Sequence, residues 1–306
     1  MRLIHSLSRQ EQLNFLLTNR IPRRLATQVM GWLSSVESPR LTRLMVRIWQ
    51  WFADDLDLDE AREREFRSLQ DCFTRQLREG ARPIAVDPDI VVSPCDAIVG
   101  MFGDIQGTTA FQAKGFPYDL QDLIPDSGLR DTYRNGRYVT LRLKSSMYHR
   151  FHAPLDCRIS EVTYISGDTW NVNPIALKRI EKLYCRNERA VIQLDTGRPG
   201  SPICLVPVAA ILVASIRLHF LDTLLSMHYR GPRTVQCNAS FSKGDELGYF
   251  QHGSTIILFA TPDYAFCQGL RTGERVQMGQ PLLSFARKPL ARGTTSKPQQ
   301  PIEVIT

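Results

Sequence analysis

Serine, histidine and aspartate are the side chains from which a nucleophile, a base and its orienter can be assembled, because a serine hydroxyl attacks well only when a base takes its proton. In this chain of 306 residues the candidates are Ser254 in YFQHGSTIILFA (249–260), His149 and His152 in MYHRFHAPLD (147–156), and Asp96 in SPCDAIVG (93–100). Asp96–His152–Ser254 is one of many sets that six histidines allow. Ser254 lacks the Gly-x-Ser-x-Gly elbow of the α/β hydrolases. In a strand, residues 149 and 152 point to opposite faces, so serving one site requires a twist or bulge. Taken alone, Gly253-Ser254-Thr255 between two apolar runs reads as a β-bulge or tight bend.

The elements that must position these residues follow from a change of period. Up to about residue 83 the pattern is helical, with the acidic stretch DDLDLDEAREREF (54–66) inside it. RPIAVDPDIVVSP then brings prolines and β-branched residues, and the remainder reads as short strands. LRDTYRNGRYVTLRL reads as a hairpin turning at Asn135-Gly136, and NPIALKRIEKLY (173–184) as one helix. Two pairs of internal echoes, SPCDAIVG with APLDCRIS (153–160) and FSKGDELGYF (241–250) with VQMGQPLLSF (276–285), point to pseudo-twofold repeats. The expected fold is α+β: a β-rich hairpin barrel or sandwich with those repeats, preceded by N-terminal amphipathic helices. Residues 1–65 are expected to form the amphipathic helical region, 66–286 the β-rich domain and 287–306 a loose tail.

Charge is concentrated at the start. Residues 1–52 hold eight arginines against Glu11 and Glu37, while the whole chain has a net charge of +7. Leu41, Leu44, Met45, Ile48 and Phe52 recur at helical spacing beside Trp49 and Trp51, with Arg43 and Arg47 elsewhere on the wheel. Leu13, Leu16 and Leu17, then Leu25, Val29, Trp32 and Leu33, mark two shorter amphipathic pieces. Such helices suit an anionic membrane surface; the alternative is a cap packed on the protein's own core. Nucleic acid is not expected, since no binding motif is present and the rest of the chain is nearly neutral. Seven cysteines without a CxxC pair indicate reduced thiols and no metal framework. No signal-peptide pattern opens the chain, and ICLVPVAAILVASI (203–216), with Pro207, reads as buried strand rather than a membrane span.

SPCDAIVG, YHRFHAP, SGDTWNVNP (166–174), CRNERAVIQLDT (185–196) and HGST (252–255) together resemble the phosphatidylserine decarboxylases, the bacterial pyruvoyl enzymes. FTRQLREGARPI (73–84), AKGFPYDLQDLI (113–124) and RNGRYVTLRL (134–143) extend the resemblance from about residue 20 to 286. It implies self-cleavage between Gly253 and Ser254, giving a β chain of residues 1–253 and an α chain of 254–306. Ser254 would become a covalent pyruvoyl group, the cofactor and Schiff-base site. Asp96 and His152 would form the charge relay, with His149 as a proton donor or phosphate contact. The implied reaction converts phosphatidylserine to phosphatidylethanolamine and CO2 on the cytoplasmic face of the inner membrane. The implied assembly is a β/α heterodimer, with a higher homo-oligomer left open.

Three positions depart from the family pattern: His252 stands where Leu is usual, Ala97 ends Pro94-Cys95-Asp96-Ala97 where Gly is usual, and KSSM precedes Tyr148 where Ser-Pro-Arg-Asp is common. Two alternatives accompany this reading: an uncleaved membrane scaffold of the same fold, and a decarboxylase acting on another amino-containing substrate.

Overall fold

The computed structural model describes residues 23–51, 53, 55–113, 116–210, 215–226, 228–251 and 254–286. Leu13, Leu16, Leu17, Phe52, His252, Gly253 and the tail from 287 therefore lie outside the described residues.

The strand Ser254–Ala260 is the middle of the protein. It pairs antiparallel with Ile203–Ala209 on one side and Arg137–Leu143 on the other, and all seven of its residues are buried. An uninterrupted apolar run is what a strand covered on both faces requires. Ile256, Leu258 and Ala260 enter one apolar cluster, whereas Ile257 and Phe259 enter another on the opposite face. Eight strands form this sheet in the order Thr234–Phe241, Cys157–Ile165, Arg189–Leu194, Ile203–Ala209, Ser254–Ala260, Arg137–Leu143, Ala97–Asp104, Arg275–Val276.

A second sheet of four strands, Leu224–Ser226, Ser215–Leu218, Glu246–Phe250 and Arg150–His152, contributes Ile216, Leu218, Leu247, Phe250 and Phe151 to the first cluster. The other cluster is closed by Tyr118, Leu120, Leu123, Tyr133, Leu183 and Tyr184, which come mainly from short helices and loops. The chain is thus α+β and mostly sheet.

Three expectations need correction. The sheets do not close into a barrel: the eight-stranded sheet ends at Thr234–Phe241 and Arg275–Val276, and these edges do not pair with each other. Asn135-Gly136 does not join two strands, because the preceding residues Ser127–Thr132 form a short helix capped by Asp126. Asn135 takes φ +56, a left-handed angle that asparagine tolerates, and turns the chain from that helix into Arg137–Leu143. The single helix over 173–184 is two short ones, Pro174–Leu177 and Leu183–Arg186, separated where Lys182 adopts φ +52.

At the N-terminal end, Arg23–Ser35 and Pro39–Gln50 are α-helices. In the second helix Thr42 and Val46 are buried; Val46 belongs to an apolar cluster with Leu56, Phe66, Leu69 and Phe73. Leu41, Leu44 and Ile48 instead face solvent, as do Leu25, Val29, Trp32 and Trp51, the two tryptophans at 70% and 66%. This end of the molecule combines an internal contact with an uncovered apolar face.

Gly136 sits so close to the central strand that an added Cβ would lie 2.1 Å from the Ala260 carbonyl oxygen. Gly136→Ala should therefore lower the stability of the chain by about 1–3 kcal/mol, the usual cost of overpacking. Denaturant unfolding in an uncleaved background is the check.

Candidate active site

Three residues, 251–253, connect Phe250 in the four-stranded sheet to Ser254 in the eight-stranded one. Both ends of this crossing are fixed. The Phe250 amide donates to the His149 carbonyl at 3.0 Å, and Phe250 is in register with Ile216. Ser254 is in register with Leu143 and Ala209. The segment 144–149 likewise connects the two sheets, from Leu143 to Arg150. Ser215 extends the contact by donating from Oγ to Gln251 Oε1 at 2.6 Å. Ser254 itself is fully buried, and among the described residues its Oγ has no hydrogen-bond partner. A buried hydroxyl without a partner is costly, and Thr140 Oγ1 and Thr255 Oγ1 on the same pair of strands share the condition.

His152 ends the strand Arg150–His152, which pairs with Glu246–Phe250 across a register shift between Glu246 and Gly248. Its backbone amide donates to the Pro94 carbonyl at 2.8 Å, setting it beside the turn that carries Asp96. Its ring contacts assign the tautomer: Nδ1 donates to the Gly244 carbonyl at 2.8 Å, so Nε2 is the lone pair that accepts from the Tyr148 hydroxyl at 2.9 Å. Burial pushes His152 below the usual histidine value; the Gly244 bond, Glu246 and Asp96 oppose this, while nearby Arg150 adds to it. A neutral imidazole at neutral pH can serve as a base. Burial likewise pushes the Tyr148 phenol above its usual value, so it remains a donor.

Asp96 is fully buried and clasped by another partner. Arg82 Nε donates to its two carboxylate oxygens at 2.9 and 3.1 Å, and an Arg82 terminal nitrogen reaches Oδ2 at 2.6 Å. The Met278 amide donates to Oδ1 at 2.9 Å, and Arg275 lies 3.8 Å from Oδ2. Arg82 also bonds Glu60 at 2.7 Å. Burial would lower the Arg82 value, but its bonds to Asp96 and Glu60 hold it above the ordinary one.

Asp96 and His152 are thus close enough for the carboxylate to favour the imidazolium. Neither hydrogen-bonds the other, and neither bonds Ser254. His149 occupies a different environment from His152. It is fully buried, donates from Nδ1 to the Met147 carbonyl at 2.8 Å, and meets the Phe73 ring edge-on.

A cavity of about 620 Å³ opens onto His152 and Tyr148. Arg62, Gln76, Arg78, Arg82, Glu246 and Met278 help to line it. Spacing did not single out Tyr148, Arg82 or Glu246, although Tyr148 lies in YHRFHAP and Arg82 in FTRQLREGARPI. The seven cysteines are free thiols. Cys95, beside Asp96, is pushed well above the usual thiol value by burial and by the aspartate, and is no nucleophile.

The fold and these residues define a β-sheet protein with a serine buried where the chain passes from one sheet to the other and a neutral histidine lining a cavity. The family model described as phosphatidylserine decarboxylase matches residues 69–284. A phosphatidylserine decarboxylase proenzyme of Erwinia tasmaniensis is 31% identical over 294 residues, covering 92% of this chain and 97% of the relative. The proenzyme of Vibrio cholerae is 34% identical over 274 residues, covering 85% and 94%. That of Aliivibrio salmonicida is 32% identical over 281 residues, covering 87% and 96%. The chain belongs to the phosphatidylserine decarboxylase family.

Arg82→Gln removes the cation bonded to the buried Asp96 carboxylate, leaving it the Met278 amide and the more distant Arg275. Breaking such a pair should cost about 3–5 kcal/mol. Denaturant unfolding in a Ser254→Ala background measures the loss, and unchanged stability would show that the pair is not holding the site.

Proposed function

We propose that this chain cleaves itself between Gly253 and Ser254 and then decarboxylates phosphatidylserine to phosphatidylethanolamine. The observation that carries the reading is the buried, unpartnered Ser254 hydroxyl at a crossing framed by the segment that holds His149 and His152.

In this reading His152 Nε2 exchanges its bond from Tyr148 for the Ser254 hydroxyl and takes its proton. Asp96 stabilises the resulting imidazolium through space. The Ser254 oxygen attacks the Gly253 carbonyl and the amide becomes an ester. Elimination then breaks the Ser254 Cβ–Oγ bond, releases the Gly253 carboxylate, and leaves dehydroalanine. Water converts that residue to a ketone with loss of ammonia. The products are a β chain of residues 1–253 and an α chain of residues 254–306, which stay together as a heterodimer.

The site fits a pyruvoyl group, because Ser254 supplies its atoms and has no competing partner among the described residues. That group would supply an electron sink for loss of CO2. In this reading Arg62 and Arg78, which line the cavity, hold the lipid phosphate. His149 is assigned as the proton donor or a phosphate contact.

The uncovered faces of Arg23–Ser35 and Pro39–Gln50 would rest on an anionic membrane surface. No helix of the described residues is long and apolar enough to cross a membrane. Arginines near anionic lipid contribute about 1 kcal/mol each. Residues 1–65 then serve association with the inner membrane's cytoplasmic face, and 66–286 serve catalysis. The paired motifs are read as a pseudo-twofold trace, since the turns at Asp96 and Asp156 each lead into a strand of the eight-stranded sheet.

Ser254→Ala, His152→Ala and Asp96→Asn should each leave a single uncleaved band on a denaturing gel; cleavage persisting in one of them removes that residue from the relay. The lowered His152 value sets the pH dependence. The base is neutral above it, so the first-order cleavage rate should stay flat from pH 8 to about 6.5 and fall only at lower pH. A rate already falling near pH 7.5 contradicts a neutral His152 as the base. CO2 release should occur with phosphatidylserine in mixed micelles and not with free serine. The reverse preference overturns the lipid substrate.

A further inference from the structure

The N-terminal helices and the candidate active site meet on one five-residue helix, Leu69–Phe73. Trp49, on the Pro39–Gln50 helix, packs on the Phe73 ring with centroids 4.4 Å apart. Phe73 in turn meets the His149 ring at 5.7 Å and 78°. The two residues after Phe73 hold the same histidine segment by its backbone and its neighbours. Arg150 Nε donates to the Thr74 and Arg75 carbonyls at 2.8 and 3.3 Å. Arg75, only 4% exposed, donates to the Ser146 carbonyl at 3.0 Å and to the Leu56 carbonyl at 2.9 Å. Residues 146–150 are therefore gripped on both sides of His149 by residues 73–75. On its other side, the Pro39–Gln50 helix leaves Leu41, Leu44 and Ile48 in solvent.

We propose that Phe73 is a positioning residue for His149, and that it transmits the seating of the Pro39–Gln50 helix on lipid to the decarboxylation step. The inference rests on the reading of His149 given above. With Nδ1 tied to the Met147 carbonyl, the imidazole is further oriented by what packs against it, and the Phe73 ring meets it edge-on. An edge-on aromatic contact fixes ring orientation in a way that an aliphatic side chain of similar volume does not. Trp49 stands behind Phe73, so a shift of the helix when its outer face enters the headgroup layer reaches the imidazole through two ring contacts. Catalytic proton transfer is sensitive to such placement, and small misplacements lower turnover more than binding.

The test uses the full-length protein after self-cleavage, with phosphatidylserine either in phosphatidylcholine vesicles or in detergent micelles. Phe73→Leu should cleave normally, so that both fragments report a folded protein, while its kcat on vesicles falls about tenfold with KM within about twofold. Its vesicle-over-micelle advantage should also disappear. Trp49→Leu should lose the same advantage with a smaller fall in kcat. His149→Ala is run beside them. If it is inactive while Phe73→Leu keeps a wild-type kcat, the positioning role is overturned and the reading of His149 survives. If His149→Ala turns over normally, that reading itself falls. A Trp49→Leu protein with the full vesicle advantage overturns the connection to the membrane helix.

Discussion

The structure depends on a short tether between two sheets. Phe250 ends a strand of one and Ser254 begins a strand of the other, with three residues between them. Each end is held by strand pairing. The position of Ser254 is therefore set by the burial of Ile256, Ile257, Leu258 and Phe259 behind it, where each of these side chains contributes about 1.5–3 kcal/mol when fully buried. Core packing and the candidate chemistry share one strand.

The same constraint orders the neighbouring polar groups. Residues 144–149 cross beside the tether, and the strand after them brings His152 to the cavity. Once there, its imidazole is surrounded by groups from distant parts of the sequence: Gly244 and Glu246 from the adjacent strand region, Tyr148 from its own segment, and Asp96 from the turn below. Asp96 is kept as a buried charge by Arg82, and Arg82 is shared with Glu60 from the N-terminal region. That region is thus built into the electrostatics of the site as well as into its packing.

Legibility in the sequence followed the range of the interactions. The strand Ser254–Ala260 was readable because two-sided burial leaves a continuous apolar run. The change from helical to β period was equally plain. Asn135-Gly136 is ambiguous in sequence because a hairpin signal and a helix-to-strand turn use the same left-handed angle, and only tertiary contact with Ala260 separates them. The break at Lys182 left no apolar gap to reveal it. Closure of a barrel depends on which edge strands meet, which periodicity does not encode. Ser254, His152 and Asp96 came from the resemblance of whole motifs rather than from spacing. Tyr148, Arg82 and Gly244 were missed because their hydrogen bonds are made by strand register and loop position, neither of which a local pattern contains.

Ser254–Ala260 lies inside the eight-stranded sheet, with hydrogen-bonded neighbours on both sides, and Pro281–Phe285 lies between two strands of another sheet. Opening the backbone just ahead of Ser254 would cut one covalent bond and leave every one of these ladders in place. The shorter piece could leave only by drawing a fully buried strand out of the interior, which is equivalent to unfolding the whole. Two polypeptides made this way would purify, melt and sediment as one body, and only a denaturant would show that the molecule is in two parts.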